Sequence, residues 1–240
     1  MNDATPQSKT GRSRWVIVTA LGTSTTLVWA SSYYLPAILA GPIATGTGVS
    51  TTWVFAAFSV SLLVAASVGP FVGRAIDRYG GRGVLSLSSV VLAVGLVSLA
   101  LATGPVGLFG AWLILGVGMA LGLYDAGFAA LTAIYGKDAR GPITGITLFG
   151  GFSSTISWPL TAVLNDAIGW RETCLVWAAL NLLIGLSLNW FVFPKRAHQS
   201  GHREERRVTV DRKQSVERIG WRPRREMLLL AFAFAAAWFV

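Results

Sequence analysis

The chain has 240 residues, 53% of them hydrophobic and 13% charged, with a mean hydropathy of +0.57, whereas a soluble domain carries about 25% charge. This excludes an ordinary soluble globule and a disordered chain, and the single cysteine, Cys174, excludes an internal disulfide scaffold. The net charge of +9 would suit nucleic acid, but the basic residues avoid the apolar runs, so the charge reads as membrane topology and no nucleic-acid partner is expected.

In chain order, residues 1–14 form a basic tail, and apolar runs follow at about 15–39, 53–73, 84–103, 107–131, 142–164 and 172–193. Each is near the roughly 20 residues that carry a helix across about 30 Å of hydrocarbon, so the expected core is a six-helix transmembrane bundle over 15–194. The first run follows basic residues as a signal peptide does, but about 25 apolar residues exceed a cleavable segment of 7–15, which makes it a retained helix. Lys9, Arg12 and Arg14, then Arg74, Arg78 and Arg82, then Lys137 and Arg140, and all the basic residues of 195–226 fall on one side. Only Arg171 falls opposite, which predicts an integral protein of the cell (inner) membrane with a cytoplasmic N-terminus. Trp15, Trp53, Trp170 and Trp190 stand at span ends, where indole rings sit at headgroup level.

Span 1 carries Thr19, Thr23, Thr26 and Tyr33 at helical spacing. Span 2 runs into a loop containing Gly73, Asp77, Arg78, Gly80 and Arg82. Asp77 is out of place at the end of a helix, where the dipole is negative, and should have another partner; the plain alternative is a solvated carboxylate paired with Arg78 or Arg82. Span 4 holds Asp125, the one charge well inside a span, about 18 Å along the helix from Lys137. An intramembrane carboxylate is a proton-relay or cation-site candidate, and Tyr124 beside it offers a hydroxyl. The alternative is that span 4 ends early and leaves Asp125 solvated. Span 5 carries Thr144, Thr147, Ser154 and Trp158 at helical spacing, a cavity wall or an ordinary packing face. Gly69/Gly73, Gly118/Gly122 and Gly141/Gly145 form Gly-x-x-x-Gly pairs that predict close helix contact.

Comparing the chain with itself shows Pro70, Asp77, Gly80 and Arg82 recurring at a constant offset of 89 as Pro159, Asp166, Gly169 and Arg171. Three spans separate the sets, which places them on opposite membrane faces and predicts two inverted three-helix repeats, as in transporter bundles with a midplane site. The alternative is that Pro and Gly merely punctuate helix ends. Segment 195–226 reads as a basic cytoplasmic linker whose arginines can rest on anionic headgroups, and 227–240 as an incomplete seventh span of about 21 Å. His198 and His202 are four apart but lack a third ligand, so no metal is expected. No nucleophile elbow, phosphate loop or zinc-protease motif occurs, so neither enzyme chemistry nor a cofactor is expected.

The run Gly73 to Arg82 reads Gly, three residues, Asp-Arg, one residue, Gly, one residue, Arg, and it resembles the signature loop of the major facilitator superfamily. Gly116 to Gly122 and Gly169-Trp170-Arg171 are similar to that superfamily's monocarboxylate or oxalate/formate branch. The resemblance implies an N-terminal half of a twelve-helix secondary transporter, with spans 1 and 4 lining the cavity, spans 2 and 5 flanking it, and Asp77 gating against a helix end in the missing half. It also implies symport of a small solute, a monocarboxylate or other organic anion, whose counter-charge comes from an arginine of that missing half. Where many proton-coupled antiporters of the superfamily carry an arginine early in span 4, this chain has Trp112 and Ile114, which argues against drug efflux. The competing expectation is a transport-inactive fragment or scaffold that lacks its second half.

Overall fold

The computed structural model describes residues 13–194. The tail with Lys9 and Arg12, the linker 195–226 with His198 and His202, and the seventh run 227–240 lie outside the described residues. Within them all regular structure is helical, and five continuous stretches are long and apolar enough to cross a membrane: Arg14–Thr47, Thr51–Tyr79, Gly81–Ala100, Gly104–Ile168 and Trp170–Val192.

The first stretch consists of α1 (Arg14–Val28), a π-helical turn (Trp29–Tyr33) and α2 (Leu35–Thr47). It therefore runs past the expected end at 39. Helices α3 (Thr51–Tyr79) and α4 (Gly81–Ala100) are uninterrupted. The fourth stretch has 65 residues, about 98 Å at 1.5 Å each, three times the hydrocarbon thickness. It divides into α5 (Gly104–Gly122), α6 (Tyr124–Tyr135), a 3-10 turn (Gly136–Ala139), α7 (Arg140–Gly151) and α8 (Ser153–Ile168). The chain doubles back at the 3-10 turn, where Gly136 has φ +54°. Gly127 then faces Ile146, and the Tyr124 hydroxyl donates to the Thr147 carbonyl at 3.2 Å. The last stretch is α9 (Trp170–Leu180) followed by π-helical segments Asn181–Leu186 and Leu188–Val192.

Two expected spans are thus interrupted. Span 4, expected unbroken over 107–131, breaks at Leu123, which is extended with ψ −174°. The preceding Gly122 lies so close to Ser88 that a Cβ could not be accommodated, and a glycine without side-chain packing holds a helix weakly. Span 5, expected unbroken over 142–164, turns at Phe152 directly after Gly150 and Gly151.

Small residues govern the packing. Helix α7 lies parallel to α1, with Gly141 against Arg14, Gly145 against Val18, Phe149 against Gly22, and Ser153 of α8 bonded to Thr26. Gly118 and Gly122 meet Leu92 and Ser88 of α4. Two of the three Gly-x-x-x-Gly pairs therefore serve close contact, as membrane helices without a hydrophobic driving force require. Gly69 and Gly73 are different, with no described atom within 4 Å of where their Cβ would stand. Leu35, Leu39, Ile43, Leu92, Leu96, Leu99 and Trp112 build one buried cluster, and Ile17, Leu21, Ile76, Leu85, Leu131 and Ile146 the other.

The two sequence-matched turns have the same backbone. Gly80 has φ 86° and ψ 158° and donates its N–H to the Ile76 carbonyl at 2.8 Å. Gly169 has φ 89° and ψ 166° and donates to Asn165 at 2.9 Å. This conformation is open essentially to glycine alone. Gly80→Ala and Gly169→Ala are therefore each expected to destabilise the detergent-solubilised protein by about 1–3 kcal/mol, with the double variant close to the sum. Thermal unfolding of the single and double variants checks this, and an unchanged midpoint would show the turns relaxing at no cost.

The arginine two residues beyond each glycine reaches the opposite helix. Arg171 donates to the carbonyls of Ala100, Ala102 (3.2 and 3.3 Å) and Gly46 (3.3 Å). Arg82 lies over the Trp190 ring at 4.5 Å. Helix α4 and the last stretch are antiparallel, so these contacts sit at opposite ends of one helix pair.

Candidate functional site

The site is built from the three breaks. Pro36 has no N–H to continue the ladder to Ser32, and the chain upstream widens into a π turn that closes with the Tyr34 N–H on the Trp29 carbonyl at 3.0 Å. The Ser31 and Ser32 hydroxyls take the Leu27 and Val28 carbonyls at 2.7 and 2.6 Å. The widened turn gathers Trp29, Tyr33 and Tyr34, with ring centroids 4.9 Å (Trp29–Tyr33), 5.5 Å (Trp29–Tyr34) and 5.7 Å (Tyr33–Tyr34) apart.

The break at Leu123 starts a new helix at Tyr124, whose ring lies 5.0 Å from Trp29 and stacks on Phe128 at 5.3 Å and 10°. Tyr124 fits because Gly150 opposite it has no side chain; a Cβ there would collide with the phenol. Phe58 of α3 packs on Tyr33 at 5.5 Å, and Trp158 of α8 meets Tyr34 edge-on at 6.2 Å. At the third break, the Thr26 hydroxyl donates to Phe149 at 3.2 Å and Ser153 donates to the Thr26 carbonyl at 3.0 Å. Fifteen residues separate Arg14 from Trp29 and 13 separate Tyr124 from Lys137, which puts the wall of rings about 20 Å from the basic end.

Asp125 follows Tyr124 in the first turn of α6 and is exposed. No described residue pairs with its carboxylate. Tyr33, Tyr124 and Trp158 come together in the wall, and Thr26 and Thr147 touch it through their backbones. Thr23 and Ser154 are half-buried and make no hydrogen bond among the described residues. Thr19 and Thr144 lie away from the wall, each returning its hydroxyl to its own helix at Trp15 and Arg140.

In the 2–3 turn, Asp77 is exposed and forms no ion pair with Arg78 or Arg82. Arg78 lies over Tyr79 at 5.3 Å, and Arg74 lies over Phe71 at 4.6 Å. At the matched position, Asp166 is exposed and accepts from Asn165 at 3.4 Å.

Sequence reasoning missed Trp29, Tyr34, Phe58 and Phe128, although Trp29/Tyr33 and Tyr124/Phe128 stand four apart, as neighbours on a helix do. It also missed Asn181 and Asn189. Asn189 donates to Ser24 at 2.8 Å and to the Leu85 carbonyl at 3.1 Å; Asn181 donates to Ser31 at 2.9 Å. Polar residues in an apolar run were the available signal, and these two hold the last helical stretch to the first, Asn189 at α1 and Asn181 at the π turn.

The chain is 31% identical over 156 residues to an uncharacterized 38 kDa protein in the 23S RNA operon of Thermoproteus tenax, covering 65% of this chain and 40% of that protein. It is 24% identical over 148 residues to a nitrite extrusion protein of Bacillus subtilis (strain 168), covering 62% of this chain and 35% of that one. The matches thus span less than half the length of these relatives. The family model described as Major Facilitator Superfamily matches residues 9–240. This chain, membrane-embedded by its long apolar helices, belongs to the major facilitator superfamily, a family of transporters and not of enzymes.

Proposed function

We propose that the chain is the N-terminal half of a secondary transporter that moves a small solute by alternating access. The fourth helical stretch then crosses twice, giving six crossings in two inverted three-helix units with the N-terminus in the cytoplasm. The partners are the lipid bilayer and a C-terminal six-helix half. The observation that carries this reading is the pair of turns at Gly80 and Gly169, 89 residues apart, with the same dihedrals and the same capping bond. Such repeats are the architecture of transporters whose site lies between them. The π turn at Trp29–Tyr33 and the extended residue Leu123, both beside the aromatic wall, support it further, because irregular backbone at membrane depth belongs at a cavity.

Asp77, free among the described residues, suits a gate that closes on the other half. For the substrate, the branch resemblance and the nitrite extrusion relative favour an anion such as a monocarboxylate. Its counter-charge has to come from elsewhere, since the described basic residues stand at the helix ends. The alternative, an inert fragment or scaffold, predicts no flux.

The test has two arms. The intact mass of the protein from its native membrane is expected near twice 25.5 kDa, as a two-half transporter requires. The purified intact protein in vesicles is expected to show saturable counterflow of a labelled solute. Absence of flux for organic anions, cations and neutral solutes alike would overturn the transport reading.

A further inference from the structure

The described half indicates a charge for the solute by its own chemistry. We propose that the aromatic wall and Asp125 form one side of a binding site for a small organic cation carrying an ammonium group. This rests on the transport reading and departs from it only in the charge of the solute.

Four observations converge. First, Trp29, Tyr33, Tyr34, Tyr124 and Phe128 are packed ring to ring at 4.9–5.7 Å, with Trp158 at the edge. Tyr33 and Trp158 remain 36% and 46% exposed, so part of the wall is accessible. The face of an aromatic ring is the negative pole of its quadrupole and attracts cations.

Second, Asp125 follows Tyr124 directly and precedes Phe128 by three residues on the same helix, and its side chain is exposed. The other described acidic residues, Asp77, Asp138, Asp166 and Glu172, also stand at helix ends or turns, but none of them neighbours a ring of the wall in sequence. Third, every described Lys or Arg lies near a span end; the one nearest Asp125 in sequence is Lys137, 12 residues away and about 18 Å along the helix. An unpaired carboxylate at that depth is costly unless a cation or a proton meets it, and in its ionised form it attracts a cation and repels an anion. Fourth, the Tyr124 hydroxyl is already committed to the Thr147 carbonyl at 3.2 Å. That leaves the oxygen's lone pairs, which can only accept, and so favours a solute that donates over one that accepts.

The experiment uses the intact protein in detergent and reads its intrinsic tryptophan fluorescence, to which Trp29 and Trp158 contribute. The probes are choline, tetraethylammonium, dimethylbutanol as the neutral carbon isostere of choline, and dimethylbutyrate as the anion. Saturable quenching by at least one ammonium is expected, with the neutral isostere at least about tenfold weaker and no saturable response to the anion. Asp125→Asn and Phe128→Leu are each expected to weaken ammonium binding by about tenfold. Asp125→Glu restores part of the loss, and an unchanged melting temperature shows that the variants are folded.

No saturable response to either ammonium, equal binding of the neutral isostere, or full affinity in Asp125→Asn would overturn the proposal. Saturable counterflow of dimethylbutyrate without ammonium binding would overturn it while leaving the transport reading intact. Ammonium binding without flux of any solute would do the reverse.

Discussion

In vesicles holding the intact transporter, a pH difference of one unit is expected to concentrate the solute up to about tenfold per coupled proton, and Asp125→Asn to reduce that accumulation to about unity. The sign of the pH difference depends on the direction of coupling; the loss does not. Asn keeps the shape of the side chain but can neither take up nor release a proton. The substitution is structurally mild because Asp125 is exposed and touches no described partner. Its one evident structural benefit is its place in the first turn of α6, where the helix dipole favours a negative charge by about 0.3–1 kcal/mol. A small change in melting temperature with complete loss of gradient-driven accumulation therefore separates a role in transport, by coupling or by binding, from a role in folding. Unchanged uptake at every pH would remove Asp125 from the mechanism.

Arg171→Ala is expected to cost about 2–3 kcal/mol, read as a lower unfolding temperature of the solubilised protein. One guanidinium serves three carbonyls at the ends of α2 and α4, those of Gly46, Ala100 and Ala102. Hydrogen bonds from charged donors are the stronger kind, at about 1.5–3 kcal/mol each, but water at the membrane face recovers part of the loss. Arg171→Lys is expected to restore less than half, because an ammonium cannot present the planar fork. Arg82→Ala is the contrasting case: its guanidinium lies over the Trp190 ring, a contact worth about 0.5–1 kcal/mol. Equal losses from the two alanine variants would show that the carbonyl clamp is not what stabilises this end.

The membrane-embedded helical class and the glycine turns were legible because they rest on local rules. An apolar run of about 20 residues has one low-energy solution in lipid, and Gly80 and Gly169 each occupy a conformation that other residues resist. Asp125 was legible as a charge where charges are rare. The wall around it was not. Tyr34 comes after Tyr33 by one residue, about 100° away on a regular helix, and only the extra residue of the π turn before Pro36 brings it beside Trp29. The break at Leu123 was hidden as well, since the residue is apolar and continues the run without interruption. Pattern alone also could not separate Gly118 and Gly122, which meet α4, from Gly69 and Gly73, which meet no described atom, because identical spacing says nothing about which face has a neighbour.

Arg171 ties the start of the last helical stretch to the end of α4, and Arg82 ties the start of α4 to the end of that stretch. The fastenings are separated by the 20 residues of α4, about 30 Å. Sliding one helix along the other in either direction would have to strain both, so the pair resembles a beam pinned at its two ends. Shear, one of the two common ways in which packed helices yield, is thereby made costly inside this bundle, and rotation as a block remains the cheaper motion.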